Sequence, residues 1–229
     1  MTFLRQLQGE LKKLFARKRT YIGYVVFLIF EALLLSLWIY VGREQFEDLA
    51  KRNFIPVELL SSSLTATYWI MGFSMFLLGS IYFALVAGDI VAKETEDGNM
   101  RMVLSRPVSR LRILVLKYCA VIIYTVTFVI FVGLTGYGMA LFAMGSEGGL
   151  FVWNPEMYIL AVYPERDEAF QRLFTGACFM GLSMCVVTSL GFFFSCLKIK
   201  PAAASVMALS VFFIDCLLYT SPSPRDYTR

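Results

Sequence analysis

Five mainly apolar stretches of 18 to 31 residues dominate the hydrophobic pattern of the chain. They cover residues 21–41, 64–87, 113–143, 173–197 and 202–219. A helix of about 20 such residues crosses the roughly 30 Å hydrocarbon core of a bilayer. The pattern therefore predicts an all-α membrane protein with five transmembrane helices, of which the third can tilt or extend past the lipid. No A-x-A cleavage site follows the first, so we expect it to be retained.

The composition points the same way. The chain is 58% hydrophobic and 17% charged, whereas soluble domains have about 45–50% and about 25%. This argues against a secreted, disordered or nucleic-acid-binding protein. The absence of His excludes a Ser-His-Asp triad and a His-ligated metal. The five Cys form no CxxC pair, so we read them as small hydrophobic residues and expect no metal site.

The distribution of positive charge predicts the orientation. Fourteen of the 21 Lys and Arg residues lie in residues 1–19, 93–117 and 198–200, which fall on one side of the predicted helices. Cytoplasmic loops carry such an excess of Lys and Arg. We therefore expect a cytoplasmic N-terminus, and the net charge of +4 reflects topology rather than binding to nucleic acid.

Residues 1–19 predict an amphipathic helix that lies at the membrane interface. Its apolar positions recur at helical spacing, and cationic residues fill the other face. The segment can equally serve only as an orientation signal. On the opposite side, residues 145–172 predict a loop in which Pro164 and the acids after it begin a helix that continues into the fourth span.

Two acids fall inside predicted spans, Glu31 in the first and Asp215 in the fifth. An intramembrane carboxylate is costly and indicates a function. The pair could line a polar path or relay protons, or each acid could be neutral and bonded to a neighbouring helix. Ser80, Ala84 and Gly88 share one face of the second span, and small residues at this spacing favour close helix packing.

The segment between the second and third spans is the most informative one. Acids come early in it and Arg101 and Arg106 come late, which suits the dipole of a short helix that Pro107 would end. Such a cytoplasmic helix could dock into the groove of a soluble partner, or the segment could be a solvated loop on the membrane surface. The chain contains no GxxxxGK[ST], HExxH or GxSxG motif, so any ATP would be bound by another chain.

This segment resembles the inner loop of ABC transporter permeases of the type-two exporter class. The resemblance lies in Glu94-Thr-Glu-Asp-Gly-Asn99, in Leu104-Ser-Arg-Pro-Val-Ser-Arg110 and in Lys117. Asn99 stands where the family usually has Thr, a minor departure. The turn at residues 198–204 is also similar to the family's junction between spans four and five. The resemblance covers the order of spans from residue 1 to about residue 219.

The resemblance implies a membrane subunit that pairs with a second permease copy and with separate ATPase subunits in a prokaryotic cell membrane. ATP and Mg would be bound by those subunits, and this chain would hold no cofactor and have no enzymatic activity. A short coupling helix would contact the ATPase. The implied contact residues are Glu94, Glu96, Gly98, Asn99, Arg101, Leu104, Arg106, Pro107 and Arg110.

The predicted organisation is an interfacial helix over residues 1–19, a permease domain over 20–219 and a polar tail over 220–229. The family usually has six spans, so we expect the tail to be a non-native ending that replaces the sixth. The alternative function is an ion-coupled secondary carrier that uses Glu31 and Asp215. A membrane-embedded enzyme is a third class, disfavoured by the missing catalytic motifs.

Overall fold

The computed structural model describes residues 3–42, 62–96, 109–154, 159–197 and 199–220. The described chain is mostly helical. Seven α-helices occur in it: α1 Phe3–Phe15, α2 Lys18–Leu37, α3 Ser63–Phe73, α4 Ser80–Glu96, α5 Arg110–Met144, α6 Arg166–Ser195 and α7 Pro201–Thr220. Two π-helical segments continue α2 and join α3 to α4, at Trp38–Gly42 and Ser74–Gly79.

In the part of the chain that the structure describes, four continuous helical stretches are long and apolar enough to cross a membrane. They are Lys18–Gly42, Ser63–Glu96, Arg110–Met144 and Arg166–Ser195. These correspond to the first four predicted spans. The fifth predicted span, residues 202–219, lies within α7, whose side chains are described as far as Ile214.

Local sequence explains where several helices begin. Ser62 precedes α3, and its hydroxyl accepts a hydrogen bond from the backbone N–H of Thr65 at 3.1 Å, which satisfies a free donor of the first turn. Asp167 and Glu168 lie in the first turn of α6, as the sequence predicted, and favour the positive end of the helix dipole. Pro201 begins α7, a position where the missing N–H is not needed.

Contacts divide the chain into two compact units. The first comprises Met1–Leu14, Ser80–Ile123 and Met184–Arg229, and therefore includes α1, α4, α7, the start of α5 and the end of α6. Within it α7 packs along α4. Ala84, Val187 and Ala208 form a buried cluster there, so small residues bring these helices together.

The second unit comprises Phe15–Gly79 and Tyr124–Ser183. Aromatic side chains join α2 to α5 within it: the ring centroids of Tyr24 and Phe131 lie 4.6 Å apart, and those of Phe27 and Phe128 lie 4.8 Å apart in an edge-to-face arrangement. Such pairs add to the burial of their apolar area.

A β-hairpin in the second unit corrects the all-α prediction. Strands β1 Leu150–Asn154 and β2 Ile159–Tyr163 pair antiparallel, with Leu150 opposite Tyr163. The backbone N–H of Phe151 donates to the Thr65 hydroxyl at 3.0 Å, and Leu150 is buried in a cluster on α3 and α6. The segment predicted as a loop is thus partly ordered by side chains that face the helices.

Candidate coupling site

The structure describes only the two ends of the predicted coupling segment. Glu94 and Glu96 lie in the last turn of α4, and Arg110 begins α5. The second predicted span ended near residue 87, but α4 continues through residues 88–96. The helix extends because nothing in those residues breaks it, although they are too polar for hydrocarbon. Gly98, Asn99, Arg101, Leu104, Arg106 and Pro107 lie outside the described residues.

Lys117 lies at the centre of an ion-pair cluster formed by three helices of the first unit. Its Nζ is 2.7 Å from Glu94 Oε2 at the end of α4, and 3.1 Å from Glu10 Oε2 on α1. The Lys117 side chain is only 4% exposed, and the two carboxylates are 15% and 22% exposed. The cluster therefore fixes α1 and the start of α5 to the helix end that precedes residues 97–108.

The charges of this cluster balance through a fourth group. Lys13, one turn beyond Glu10 on α1, lies 2.6 Å from Glu10 Oε1. Burial of the Glu10 carboxyl acts to raise its pKa, but the hydrogen bonds and charges of Lys13 and Lys117 outweigh burial and hold the pKa of Glu10 below its ordinary value of 4.5. Two cations thus offset two anions, as buried charges require.

Close helix packing occurs beside the cluster. Ser80, Ala84 and Gly88 are all buried in α4. A Cβ on Gly88 would lie 3.0 Å from the Ser205 backbone nitrogen of α7, so only the missing side chain permits this approach. A Cβ on Gly191 of α6 would lie 2.9 Å from the Ala87 Cβ.

A hydroxyl on α6 adds a polar contact in the same unit. Ser195 Oγ accepts hydrogen bonds from the backbone N–H groups of Val91 and Ala92, each at 3.0 Å. The side chain is 1% exposed. A buried hydroxyl that accepts from two neighbouring helical N–H groups ties the end of α6 directly to the α4 backbone.

The two predicted intramembrane acids can be compared only in part. Glu31 is fully buried on α2 and contacts Thr135 of α5, whose Oγ1 lies 2.8 Å from Glu31 Oε2. Asp215 lies on α7, and its side chain falls outside the described part of the structure. Of these two acids, only Glu31 therefore has side-chain contacts that the structure describes.

Sequence reasoning did not single out Glu10, Ser195 or Ser205. Glu10 is the one acid in residues 1–19. A single acid on an otherwise cationic helix indicates a specific partner, and this was the signal in the sequence that could have identified it. Its partner Lys117 lies 107 residues away, and no periodicity encodes such a tertiary contact.

The fold and this cluster define a mostly helical protein with about four helices that could span a membrane. The chain belongs to a family described as a protein of unknown function (DUF2705), whose sequence profile matches residues 32–219. It is also 32% identical over 73 residues to the uncharacterized protein YhcI of Bacillus subtilis (strain 168). That match covers 31% of this chain and 23% of the relative, so the chain spans about a quarter of the relative's length.

Proposed function

We propose that this chain is the membrane-spanning permease subunit of an ATP-driven ABC transporter of the type-two exporter class. The observation that carries the proposal is the contact between Glu94 and Lys117. Both residues belong to the sequence pattern that resembles this class, and they bracket the segment that would meet the ATPase. A solvated loop would not require its flanking helices to be joined by a buried ion pair.

The proposed arrangement places the N-terminus and residues 94–110 in the cytoplasm and five helices in the cell membrane of a prokaryote. The helix Phe3–Phe15 would lie at the interface, with Lys12 and Lys13 near anionic headgroups. Two copies, or this chain and a second permease, would enclose the substrate path. ATP and Mg would stay on the ATPase subunits, because this sequence has no phosphate-binding loop.

The ion cluster supplies a physical route for coupling. Nucleotide-driven closure of the ATPase subunits would press on residues 97–108. Because Glu94 and Lys117 join the two ends of that segment, the ends of α4 and α5 would move together instead of spreading apart. Glu10 would carry α1 with them. The movement of the ATPase subunits would thus displace the membrane helices, and would not only deform residues 97–108.

Co-purification tests the proposal. The tagged chain is solubilised from cells that carry its native genes, and ATPase activity and Walker-motif subunits are measured in the eluate. The variant Glu96→Arg places a charge reversal on the proposed contact, and we expect about a tenfold loss of the co-purified ATPase, equivalent to about 1.4 kcal/mol. Glu147→Arg is the matched control, because Glu147 is also exposed but would lie on the other side of the membrane in the proposed topology.

Gly98→Pro provides a second variant in the same segment. If both variants still co-purify with the ATPase at the wild-type level, residues 94–110 are not the ATPase contact. Absence of any Walker-motif ATPase from the wild-type eluate would remove the proposed class. Transport driven by a proton gradient in vesicles without ATPase would assign the chain to the ion-coupled carriers instead.

A further inference from the structure

Glu31 lies deep in the membrane-spanning part of the second unit. It is about 18 Å along the helix axis from Arg19 and about 16 Å from Gly42, and its side chain is 0% exposed. Neither the ion cluster nor the proposed coupling uses this residue. A carboxyl group at this depth must be either ionised and compensated, or neutral.

In the described part of the chain, no ion pair compensates a charge on Glu31. The sequence holds no other charged residue in 20–42, 63–79 or 124–144, which are the helical segments packed around it. Among the described residues no hydrogen bond reaches Glu31 Oε1. The neighbours of that atom include Gly136, whose missing Cβ would lie 3.7 Å away. An ionised Glu31 would therefore have one hydrogen bond for two charged oxygens.

The hydrogen bonds of Thr135 fit a neutral acid. Thr135 Oγ1 lies 2.8 Å from Glu31 Oε2, 2.9 Å from the Phe131 carbonyl oxygen and 3.2 Å from the Val132 carbonyl oxygen. A threonine hydroxyl has one proton and can accept as well. If Thr135 donates to the carbonyl of its own helix, as helical threonines do, Glu31 must supply the proton of the 2.8 Å contact.

We infer that Glu31 is a protonated carboxylic acid that donates to Thr135 and bridges α2 to α5 without charge. In this state Oε2 is the hydroxyl and Oε1 is a neutral carbonyl oxygen. An unpaired neutral carbonyl costs far less in hydrocarbon than an unpaired carboxylate. In this state Glu31 carries no charge with which to bind a cation. This inference is independent of the proposed ABC transport.

Infrared spectroscopy of the full chain in lipid at neutral pH tests the protonation state. The difference between wild type and Glu31→Gln should show loss of one carboxylic-acid C=O band, with the carboxylate bands unchanged. Loss of a carboxylate band instead would overturn the inference, because Glu31 would then be ionised. The glutamine keeps the shape and can donate to Thr135.

Thr135→Val tests the hydrogen bond and does not depend on folding of the glutamine variant. Removing the acceptor should shift the acid C=O band to higher frequency. Thr175→Val is the matched control, because Thr175 is an exposed helical threonine that donates to Gln171 of its own helix; it should leave the band in place. An unshifted band in Thr135→Val would overturn the bridge to α5.

Discussion

Replacing Lys117 with Met is expected to destabilise the first unit strongly. The lysine lies 2.7 Å from one carboxylate and 3.1 Å from the other. The oxygens of Glu94 and Glu10 are therefore no more than about 6 Å apart. At an effective dielectric constant of about 20, two negative charges at that separation repel by about 3 kcal/mol. Protonating one acid at pH 7 costs a similar amount, so protonation does not remove the penalty. Lys13 stays 2.6 Å from Glu10 and offsets part of it, which makes about 3 kcal/mol the upper bound.

Thermal unfolding in detergent measures this loss. For a chain of this size each kcal/mol lowers Tm by about 2–4 °C, so Lys117→Met should lower Tm by at most about 6–12 °C. The triple variant Glu10→Gln, Glu94→Gln and Lys117→Met removes all three charges. It should recover most of the loss, since neutral residues of similar size replace buried ion pairs at little cost.

Two results would refute this reasoning. A Tm of Lys117→Met within 2 °C of wild type corresponds to less than about 1 kcal/mol. It would mean that water and Lys13 already screen the two carboxylates and that Lys117 is not needed to compensate them. A triple variant less stable than Lys117→Met would mean that the lysine contributes through packing of its stem and not through its charge.

Three further outcomes follow from the same contacts. Gly88→Ala should cost about 1–3 kcal/mol by overpacking against the α7 backbone, whereas Gly138→Ala, which meets nothing within 4 Å, should be neutral or stabilising in the same unfolding assay. In a cysteine-free background, the thiol of Glu96→Cys should not react with a membrane-impermeant thiol reagent added to intact cells, because the proposed topology places it in the cytoplasm. The thiol of Glu147→Cys should react, because the same topology places it outside. The pKa of Glu10 is lowered in the folded state, so the ionised carboxylate stabilises the fold above pH 4.5, and this stabilisation is lost as pH falls through the folded-state pKa. The rate of amide hydrogen exchange in α1 should therefore rise in acid. The variant Glu10→Gln should show no such rise.

The apolar runs predicted the long apolar helices that could cross a membrane, but not where those helices end. The second run stops at residue 87, yet α4 continues to Glu96, and α5 begins at Arg110, before the third run. Hydropathy reports only the part of a helix that meets hydrocarbon. The polar ends are helical as well, and they carry Glu94 and Arg110 of the predicted coupling segment.

The hairpin shows where a stronger signal was available. Leu150–Asn154 and Ile159–Tyr163 are rich in β-branched and aromatic residues, and Gly148 before them adopts a φ of +98°. These are strand and turn signals. In so apolar a chain these short strand signals are hard to distinguish from the ends of the apolar spans. Each strand has five residues, whereas the flanking helices have 35 and 30.

The contacts around α4 limit how the proposed transmission can work. Gly88 contacts the α7 backbone, Gly191 of α6 contacts Ala87, and Ser195 accepts from two α4 N–H groups. α4 makes these contacts through its backbone or through the Cβ of Ala87. The helix therefore cannot rotate or slide past its neighbours without losing buried hydrogen bonds and creating clashes. If an ATPase presses on residues 97–108, α4 must therefore move as a block with α7 and the end of α6. A mechanism in which α4 turns alone is inconsistent with this packing.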